Sequence, residues 1–451
     1  MGAAAGTYDL RELRELTQKL NLHVPPTYFA SRITRMAYEQ ALGPIVSADD
    51  DGPMHVYLGV PLCEEHCNFC MYFAGFADQA GEKAEACVRG LVQLMCALGQ
   101  TRPRRVAGLY VGGGTPSVLS AELIAKLLSA TNSAFEFEPN AQRTFEMAPR
   151  SITTDKLGAV VAAGITRGSF GVQSFDPDVL AAANRKYHPP ERIRTLIDDC
   201  RRAGIAHVNV DLMVGLDGQK PDSLHVSLRH LLEMRCPTIS IYRYRPMRQR
   251  ELATRGGIDE YVRFCTNQLE LAFTLAREYG YRTIGRTDGE HVRLLGDQPA
   301  DQWSERNLYE TRYRPHLGNS LVGLGAGGRS FLRSSRYVHC DRVASGFDLV
   351  GRDVAVEDCT SFDQAAAAVV NEFFINFRAD PALIARTIGI DVAEVLASEI
   401  AFLTDRGVLR DVEGVLEVDS AYRPEWHYWD KVFYPPQWLA RRMQSGSARL
   451  R

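Results

Sequence analysis

The 451-residue sequence contains no apolar run long enough to cross a bilayer, and its N-terminus lacks the basic-then-apolar pattern of a signal peptide. It also carries little net charge, −3 from 52 basic and 55 acidic residues, so composition gives no electrostatic case for binding nucleic acid or an anionic membrane. All but three of its ten cysteines stand singly, as is usual for reduced thiols. We therefore expect a cytoplasmic, monomeric protein that binds neither nucleic acid nor membrane.

Three cysteines crowd into eight residues directly after the apolar run Val56–Leu62: Cys63, Cys67 and Cys70. Thiolate groups at such spacing favour zinc or an iron–sulfur cluster. A structural zinc site needs four ligands, and only His55 and His66 are near enough in sequence to replace a fourth cysteine. An iron–sulfur cluster held by three cysteines leaves one iron open, which suits catalysis. We interpret the segment as an iron–sulfur site, and three buried or redox cysteines brought together by chance are the alternative.

Short apolar runs alternate with segments of helical periodicity from about residue 53 to 330. The predicted strands are His55–Val60, Val106–Val111, Arg143–Met147, Gly168–Val172, His207–Asp211 and Thr238–Arg243. The predicted helices between them include Lys83–Leu98, Ala121–Thr131 and Asp222–Met234. Apolar strands that alternate with helices predict an α/β fold with a parallel sheet, and six such units predict an incomplete (β/α)6 barrel.

Three domains are predicted: an N-terminal arm (1–52), the partial barrel (53–335) and a smaller C-terminal domain (336–451). The arm is predicted to hold helical stretches at Tyr8–Leu20 and Tyr28–Leu42. The C-terminal domain is predicted to be helical with a small β-wing, like a winged helix, but its acidic content argues against nucleic-acid binding.

Two groups of residues are candidates for contact with the substrate. One is a C-terminal aromatic cluster around Trp426, Trp429 and Trp438, which either covers the barrel mouth over a flat substrate or packs the C-terminal domain in place. The other comprises the arginines that follow the sixth predicted strand: Arg243, Arg245, Arg248 and Arg250. They either bind substrate carboxylates or form a solvated basic loop.

Polar residues follow the predicted strands at the ends that should meet. The second strand leads into the glycine-rich segment Gly112–Ser117, whose backbone can approach a ligand closely and offer N–H groups. The third, fourth and fifth strands end in Glu146, Gln173 and Asp211. Because the carboxyl ends of barrel strands lie on one face, these groups are expected to form a site.

Together these segments resemble the oxygen-independent coproporphyrinogen III oxidase family of the radical S-adenosylmethionine (SAM) superfamily. The matching motifs are Tyr57–Cys63, Tyr110–Pro116, Gly171–Asp176, Asn184–Arg185, Asp211–Leu216 and Gly323–Gly327. The resemblance implies a radical SAM barrel, a 4Fe-4S cluster on the three cysteines and two SAM molecules. It implies that the SAM on the cluster contacts Tyr57, Gly113 and Glu146. It implies that a second SAM contacts Phe69, Gly114, Thr115, Gln173, Arg185 and Asp211.

The chain departs from that pattern at three places. Arg245 follows the sixth strand where the oxidases carry an alanine, and Arg329 follows the late glycine motif where a small or apolar residue is usual. Both positions remain candidate contacts to SAM. Cys70 is followed by Met71 and not by the Gly-Cys of the decarboxylating enzymes.

These departures favour a relative that keeps two SAM sites, namely a class C radical SAM methyltransferase or cyclopropanase acting on an sp2 carbon of a conjugated natural product. A low-potential donor such as flavodoxin or ferredoxin is the expected electron source, and a partner methyltransferase is a further candidate. The alternatives are oxidative decarboxylation of a porphyrinogen and heme binding as a chaperone.

Overall fold

The computed structural model describes residues 9–20, 28–30, 32–46, 52–70, 75–77, 81–98, 105–205, 207–244, 255–284, 291–296, 318–341 and 347–444. Within these residues, no helix is both long and apolar enough to cross a membrane.

The described strands number sixteen. They are β1 (Arg32–Ala37), β2 (Met54–Val60), β3 (Val106–Gly113), β4 (Phe137–Met147), β5 (Arg167–Gln173), β6 (His207–Val214), β7 (Thr238–Arg243), β8 (Arg282–Ile284), β9 (His291–Leu295), β10 (Ser320–Leu324), β11 (Arg329–Leu332), β12 (Arg336–His339), β13 (Asp353–Asp358), β14 (Arg378–Ala379), β15 (Leu409–Val412) and β16 (Val415–Val418). The α-helices of the same residues are α1 (Leu10–Leu20), α2 (Tyr38–Val46), α3 (Glu82–Leu98), α4 (Ala121–Ala134), α5 (Thr154–Ala162), α6 (Pro177–Ala182), α7 (Pro190–Ala203), α8 (Ser223–Glu233), α9 (Ile258–Glu278), α10 (Ser361–Asn376), α11 (Pro381–Ile388), α12 (Val392–Val395), α13 (Ala397–Asp405), α14 (Trp426–Trp429) and α15 (Pro436–Gln444).

Thirteen of these strands form one sheet in the order β1-β13-β12-β11-β10-β2-β3-β4-β5-β6-β7-β9-β8. Strands β2 to β7 pair in parallel with their sequence neighbours, and helices connect them. The six predicted strands and the α/β class with its partial barrel are therefore confirmed. The predicted helices that connect them also form, with ends that differ by a few residues.

The two faces of this sheet differ in chemistry because side chains alternate along each strand. On β2, Val56, Leu58 and Val60 are fully buried in the main hydrophobic core, against the helices, while Tyr57 points to the other face. On β6, Val210 lies in the same core, and the carboxylate of Asp211 lies on the other face. Each fully buried aliphatic side chain contributes roughly 1.5–3 kcal/mol to the free energy of unfolding. The face to which Tyr57 points, called the inner face below, is left free for polar groups.

One prediction for the arm is wrong. The segment Tyr28–Leu42 is not one helical stretch, because β1 occupies its middle and pairs antiparallel with β13. Ile33 and Thr34 are β-branched and fit an edge strand, so pairing with β13 overrides the helical periodicity. The sheet thus includes strands from residues before 53 and from residues after 335. The division into three domains stays a prediction.

The C-terminal region is helical and carries a three-stranded sheet in the order β14-β16-β15, as the predicted wing requires. Its hydrophobic core includes Trp426, Trp429 and Trp438, which are 3%, 6% and 9% exposed. The ring of Trp426 meets that of Phe373 edge-on at 4.8 Å. Of the two roles left open for these tryptophans, packing is the one observed.

Candidate active site

The cysteine loop follows β2 and is anchored at its start. The backbone N–H of Cys63 donates to the carbonyl oxygen of Gly75 at 3.1 Å, and the N–H of Ala77 donates back to the carbonyl of Cys63 at 2.9 Å. This bridge fixes the first cysteine against the chain that returns from the loop.

The far side of the loop is held by the turn after α6. The backbone N–H of Asn68 donates to the carbonyl of Ala183 at 2.9 Å, and its side-chain amide donates to the carbonyl of Ala182 at 3.0 Å. In return, the side-chain amide of Asn184 donates to the carbonyl of His66 at 2.6 Å. Asn184 has φ +51°, a conformation that asparagine tolerates better than most residues. The loop is therefore fixed from two directions before any cofactor binds.

Two donors point at the thiols. The hydroxyl of Thr115 donates to the Sγ of Cys63 at 3.7 Å, and the Nη1 of Arg185 donates to the Sγ of Cys67 at 3.2 Å. Burial raises the pKa of Cys63 to about 11, and the Thr115 hydroxyl partly offsets this rise. Burial also raises the pKa of Cys67, and the charge of Arg185 opposes it.

The three thiols fit an iron–sulfur cluster better than a single ion. Cys63 lies within electrostatic range of both Cys67 and Cys70. Among the described residues, no three histidine, cysteine or acidic side chains are grouped so that they could hold one metal ion. In a cubane each cysteine binds its own iron, so the sulfurs need not converge on one point. Cluster binding would convert these thiols to thiolates, and Thr115 and Arg185 would stabilise the charge.

The glycine-rich segment packs directly against the loop. The N–H of Gly114 donates to the carbonyl of Val60 at 2.8 Å, and a Cβ on Gly114 would lie 2.5 Å from the carbonyl oxygen of Leu62. Gly113 has φ +110°, which a side chain would strain. Only glycine fits at these two positions, and their backbone therefore forms part of the wall beside the cysteines.

Glu146, at the end of β4, is half-buried on the inner face. The hydroxyl of Tyr110 donates to its Oε1 at 2.6 Å, and the ring of Tyr110 stacks with that of Tyr57 at 6.0 Å. Burial raises the pKa of Glu146 to about 7; the hydrogen bond from Tyr110 opposes the rise, and the charge of Asp211 adds to it. The carboxylate is thus poised to gain a cationic partner.

Asp211, on β6, is the second half-buried carboxyl group of this face. The side-chain amide of Asn209 donates to its Oδ1 at 2.6 Å, and the hydroxyl of Ser240 fixes Asn209 by donating to its Oδ1 at 2.9 Å. Burial raises the pKa of Asp211 to about 6, and the positive charge of Arg167 opposes this rise. Arg167 begins β5 and is 5% exposed.

Gln173 ends β5 in a strained conformation, with φ +73°. A Cβ on Gly171 would lie 2.8 Å from the Nε2 of Gln173 and 3.2 Å from the Nη2 of Arg185. Arg185 Nη2 also donates to the carbonyl oxygen of Gly171. The side chains of Gln173 and Arg185 therefore meet over Gly171, beside the cysteine loop.

The structure brings most of the predicted residues to one region, although not all of them. Phe69 packs against a small cluster that includes Val179, Met213 and Tyr244. Arg329 lies on β11, two strands from β2. Three of the arginines and the residues after Cys70 fall outside the described residues: Arg245, Arg248, Arg250 and Met71–Phe73.

Several residues of the site were missed from the sequence. They are Asn68, Tyr110, Arg167 and Asn209. The last three share the strand alternation of the residues that were found, so a face-by-face reading of each strand identifies them as inner. The contact of Asn68 with the turn after α6 links distant segments and left no local signal.

Comparison with known proteins agrees with this geometry. The radical SAM superfamily model matches residues 57–231. Over those residues the chain is similar to the radical SAM superfamily. It is 28% identical to the oxygen-independent coproporphyrinogen III oxidase of Bradyrhizobium diazoefficiens over 369 residues, which cover 79% of this chain and 81% of the relative. It is 31% identical to the heme chaperone HemW of Haemophilus influenzae over 195 residues, 42% of this chain and 50% of the relative.

The structure of the coproporphyrinogen III oxidase HemN from Escherichia coli has the same fold, with a TM-score of 0.67 at 22% identity, covering 88% of this chain and 92% of that one. A radical SAM member uses a 4Fe-4S cluster and SAM, and the three cysteines with their donors suit that pair. Superfamily members generally act on small molecules and draw on an electron donor.

The predicted C-methyltransferase or cyclopropanase activity is wrong. The relatives that cover most of the chain are named coproporphyrinogen III oxidases. The prediction depended on Arg245, Arg329 and the residue after Cys70, which are few positions against a similarity that spans the fold. The predicted partner methyltransferase and natural-product role depended on that activity and are not supported either.

Proposed function

We propose that the chain is a radical SAM enzyme that decarboxylates a porphyrinogen side chain oxidatively. The similarity to coproporphyrinogen III oxidases over about four fifths of the chain supports this proposal most strongly. Such a substrate carries several carboxylates on a flexible tetrapyrrole and loses carbon dioxide as a propionate side chain becomes a vinyl group.

We assign the cluster to Cys63, Cys67 and Cys70. When bound, the cluster and SAM supply a 5′-deoxyadenosyl radical that removes a hydrogen atom from the substrate. Arg185 and Thr115 would hold the thiolates by hydrogen bonds, and the first two cysteines are buried. Loss of carbon dioxide then releases one electron, so the reaction needs a one-electron acceptor.

We assign the SAM on the cluster to Tyr57, Gly113 and Glu146. The ionised carboxylate of Glu146 is suited to a cationic group, and the backbone beside Gly113 allows close approach. Tyr110 orients Glu146 through its hydroxyl. The Tyr57 ring offers an apolar wall on the same face.

We assign a second SAM to a set of residues on the adjoining side: Phe69, Gly114, Thr115, Gln173, Arg185 and Asp211. Arg185 and Gln173 meet over Gly171, and Asn209 fixes the Asp211 carboxylate. The charge of Arg185 acts on Asp211, and a cation near a carboxylate would suit the amino-acid part of SAM. A reduced flavodoxin or ferredoxin is the proposed electron donor.

The test is turnover by anaerobically reconstituted protein with coproporphyrinogen III, SAM and a chemical reductant. The expected result is carbon dioxide and 5′-deoxyadenosine in equal amounts, with a product lighter by one carboxyl group and one hydrogen atom per event. SAM cleavage that the porphyrinogen neither stimulates nor couples to carbon dioxide release would rule the proposal out. Cys67→Ala serves as the inactive control.

Heme binding is a second candidate, because the chain is 31% identical to a heme chaperone over 195 residues. That relative shares half of its length with this chain, so the evidence for the oxidase is broader. Stoichiometric heme binding, with transfer to an acceptor protein and no porphyrinogen-dependent SAM cleavage, would favour the chaperone.

A further inference from the structure

The sheet continues beyond Tyr57 toward its β1 edge, and its inner face continues with it. Gly323 on β10 pairs with Tyr57, and Arg329 on β11 pairs with His339 on β12. A Cβ on Gly323 would lie 2.3 Å from the backbone oxygen of Arg329, so these two residues are also neighbours. One row of residues therefore crosses the four strands β2, β10, β11 and β12: Tyr57, Gly323, Arg329 and His339.

The opposite face of these strands is closed by hydrophobic packing. Val322, Val338 and Val356 are fully buried in the main core, with which α2 packs. Because side chains alternate, the residues between them face the side that carries Tyr57. Leu321, Phe331 and Tyr337 do form a separate cluster there, and Tyr57 packs against it.

Arg329 is exposed on this otherwise largely buried surface. At about 4.8 Å between neighbouring strands, it stands about 10 Å from Tyr57 along the sheet. Its charge acts on both Tyr28 and His339, so the guanidinium lies within electrostatic range of the two side chains. Burial, together with Arg329, lowers the pKa of His339 to about 3, so the imidazole is neutral.

The rings beside Arg329 are stacked. The ring of Tyr28 lies 3.8 Å from that of Tyr337 and 5.4 Å from that of His339, nearly parallel to both. Tyr337 is 3% exposed, and its hydroxyl has no hydrogen-bond partner among the described residues. A buried hydroxyl without a partner costs free energy unless a ligand or water satisfies it. Glu357, opposite Tyr337, is the acidic group of this surface.

We propose that Arg329, beside His339, binds a carboxylate on the rim of the tetrapyrrole substrate. The guanidinium supplies the charge and a paired donor geometry, and the neighbouring rings supply a flat apolar wall. The 10 Å spacing lets a macrocycle with several carboxylates hold one at Arg329 while another reaches the cofactors beside Tyr57. This inference rests on the proposed function for the identity of the substrate.

The test uses the reconstituted protein and two porphyrins, coproporphyrin III and its tetramethyl ester, with binding followed by fluorescence. Wild type is expected to bind the acid about tenfold more tightly than the ester, as loss of a charged hydrogen bond implies. Arg329→Gln is expected to remove that preference by weakening the acid alone, and Arg329→Lys to restore part of it.

Arg282→Gln is the matched control, because Arg282 is an exposed arginine at the opposite edge of the same sheet. Acid binding by Arg329→Gln that equals wild type would overturn the inference, whether or not wild type decarboxylates porphyrinogens. An Arg329-dependent preference for the acid in a protein without decarboxylase activity would uphold it and reject the proposed function. Failure of wild type to bind coproporphyrin would overturn the inference, while turnover of coproporphyrinogen III decides the proposed function separately.

Discussion

The guanidinium of Arg185 joins the sulfur of Cys67 to the backbone carbonyl of Gly171 through two separate nitrogens. One side chain thus connects the cysteine loop to β5, and it adds positive charge where thiolates form. A planar guanidinium can hold both contacts in fixed geometry, whereas an ammonium group is a single point charge.

Arg185→Lys should therefore retain the cluster but slow SAM cleavage about tenfold, since one contact of the pair is lost. Iron and sulfide analysis with single-turnover formation of 5′-deoxyadenosine measures both quantities. Arg192→Lys, on α7, is a control that keeps the same change of residue away from the thiols. Unchanged cleavage in Arg185→Lys would show that charge alone matters.

Cys67→Ala should abolish formation of 5′-deoxyadenosine, because two cysteines do not hold a stable cubane. The measurement is product analysis after anaerobic reconstitution, together with iron content. Cys96→Ala removes an exposed cysteine from α3 and should behave as wild type. A fully active Cys67→Ala protein would refute the cluster assignment.

Two replacements of Asn184 separate its backbone role from its side-chain role. Asn184→Gly keeps the positive φ and loses only the hydrogen bond to His66, so cluster release to a chelator should accelerate about threefold to tenfold. Asn184→Ala adds backbone strain of about 1 kcal/mol and should release the cluster faster still. Equal rates in the two variants would mean that the strain has no effect.

Glu146→Gln should stabilise the cofactor-free protein while weakening SAM binding. The pKa of Glu146 is about 7 in the fold against an ordinary 4.5, so the folded state holds its proton more tightly than the unfolded state does. The free energy of unfolding therefore falls as pH rises from about 4.5 to 7, by about 3 kcal/mol in total.

The glutamine variant should lack that slope, so its advantage over wild type should be largest at pH 8 and vanish near pH 4. Urea unfolding at both pH values measures it, and equilibrium dialysis measures SAM. A variant less stable than wild type at pH 8 would contradict this account of Glu146.

Gln173→Ala should lower occupancy of the second SAM more than that of the first, because Gln173 lies beside Arg185 and away from Glu146. Equilibrium dialysis with labelled SAM gives the stoichiometry. Gln173→Gly is the partner variant, since glycine adopts the φ of +73° without strain. Equal loss at both sites in the glycine variant would contradict the division of roles.

The sequence predicted the six parallel strands because each is a continuous apolar run, and it predicted Glu146, Gln173 and Asp211 because they end those runs. It did not predict β1, whose fate depends on pairing with β13 more than three hundred positions away. Nor did it predict how Asn68 and Asn184 hold the cysteine loop, since those contacts also link distant segments. Local patterns identify elements and strand ends, but pairing across the chain decides the rest.

The activity could not be predicted from the few positions at which the chain departs from the pattern of the oxidases. The residue after Cys70 and the arginines at positions 245 and 329 pointed to methyl transfer, yet the similarity across the fold favours the oxidases. Single positions at a site tune substrate recognition, and the role proposed for Arg329 is an example.

Helix α1 shares its hydrophobic core with residues from the opposite end of the chain. Leu13 is fully buried there together with Trp426 and Phe433, and Arg14 pairs with Glu425. During synthesis, α1 leaves the ribosome long before these partners are made. Its apolar face is then open to chaperones and proteases until translation has passed Phe433, so a nascent chain that stalls late should be degraded from this helix.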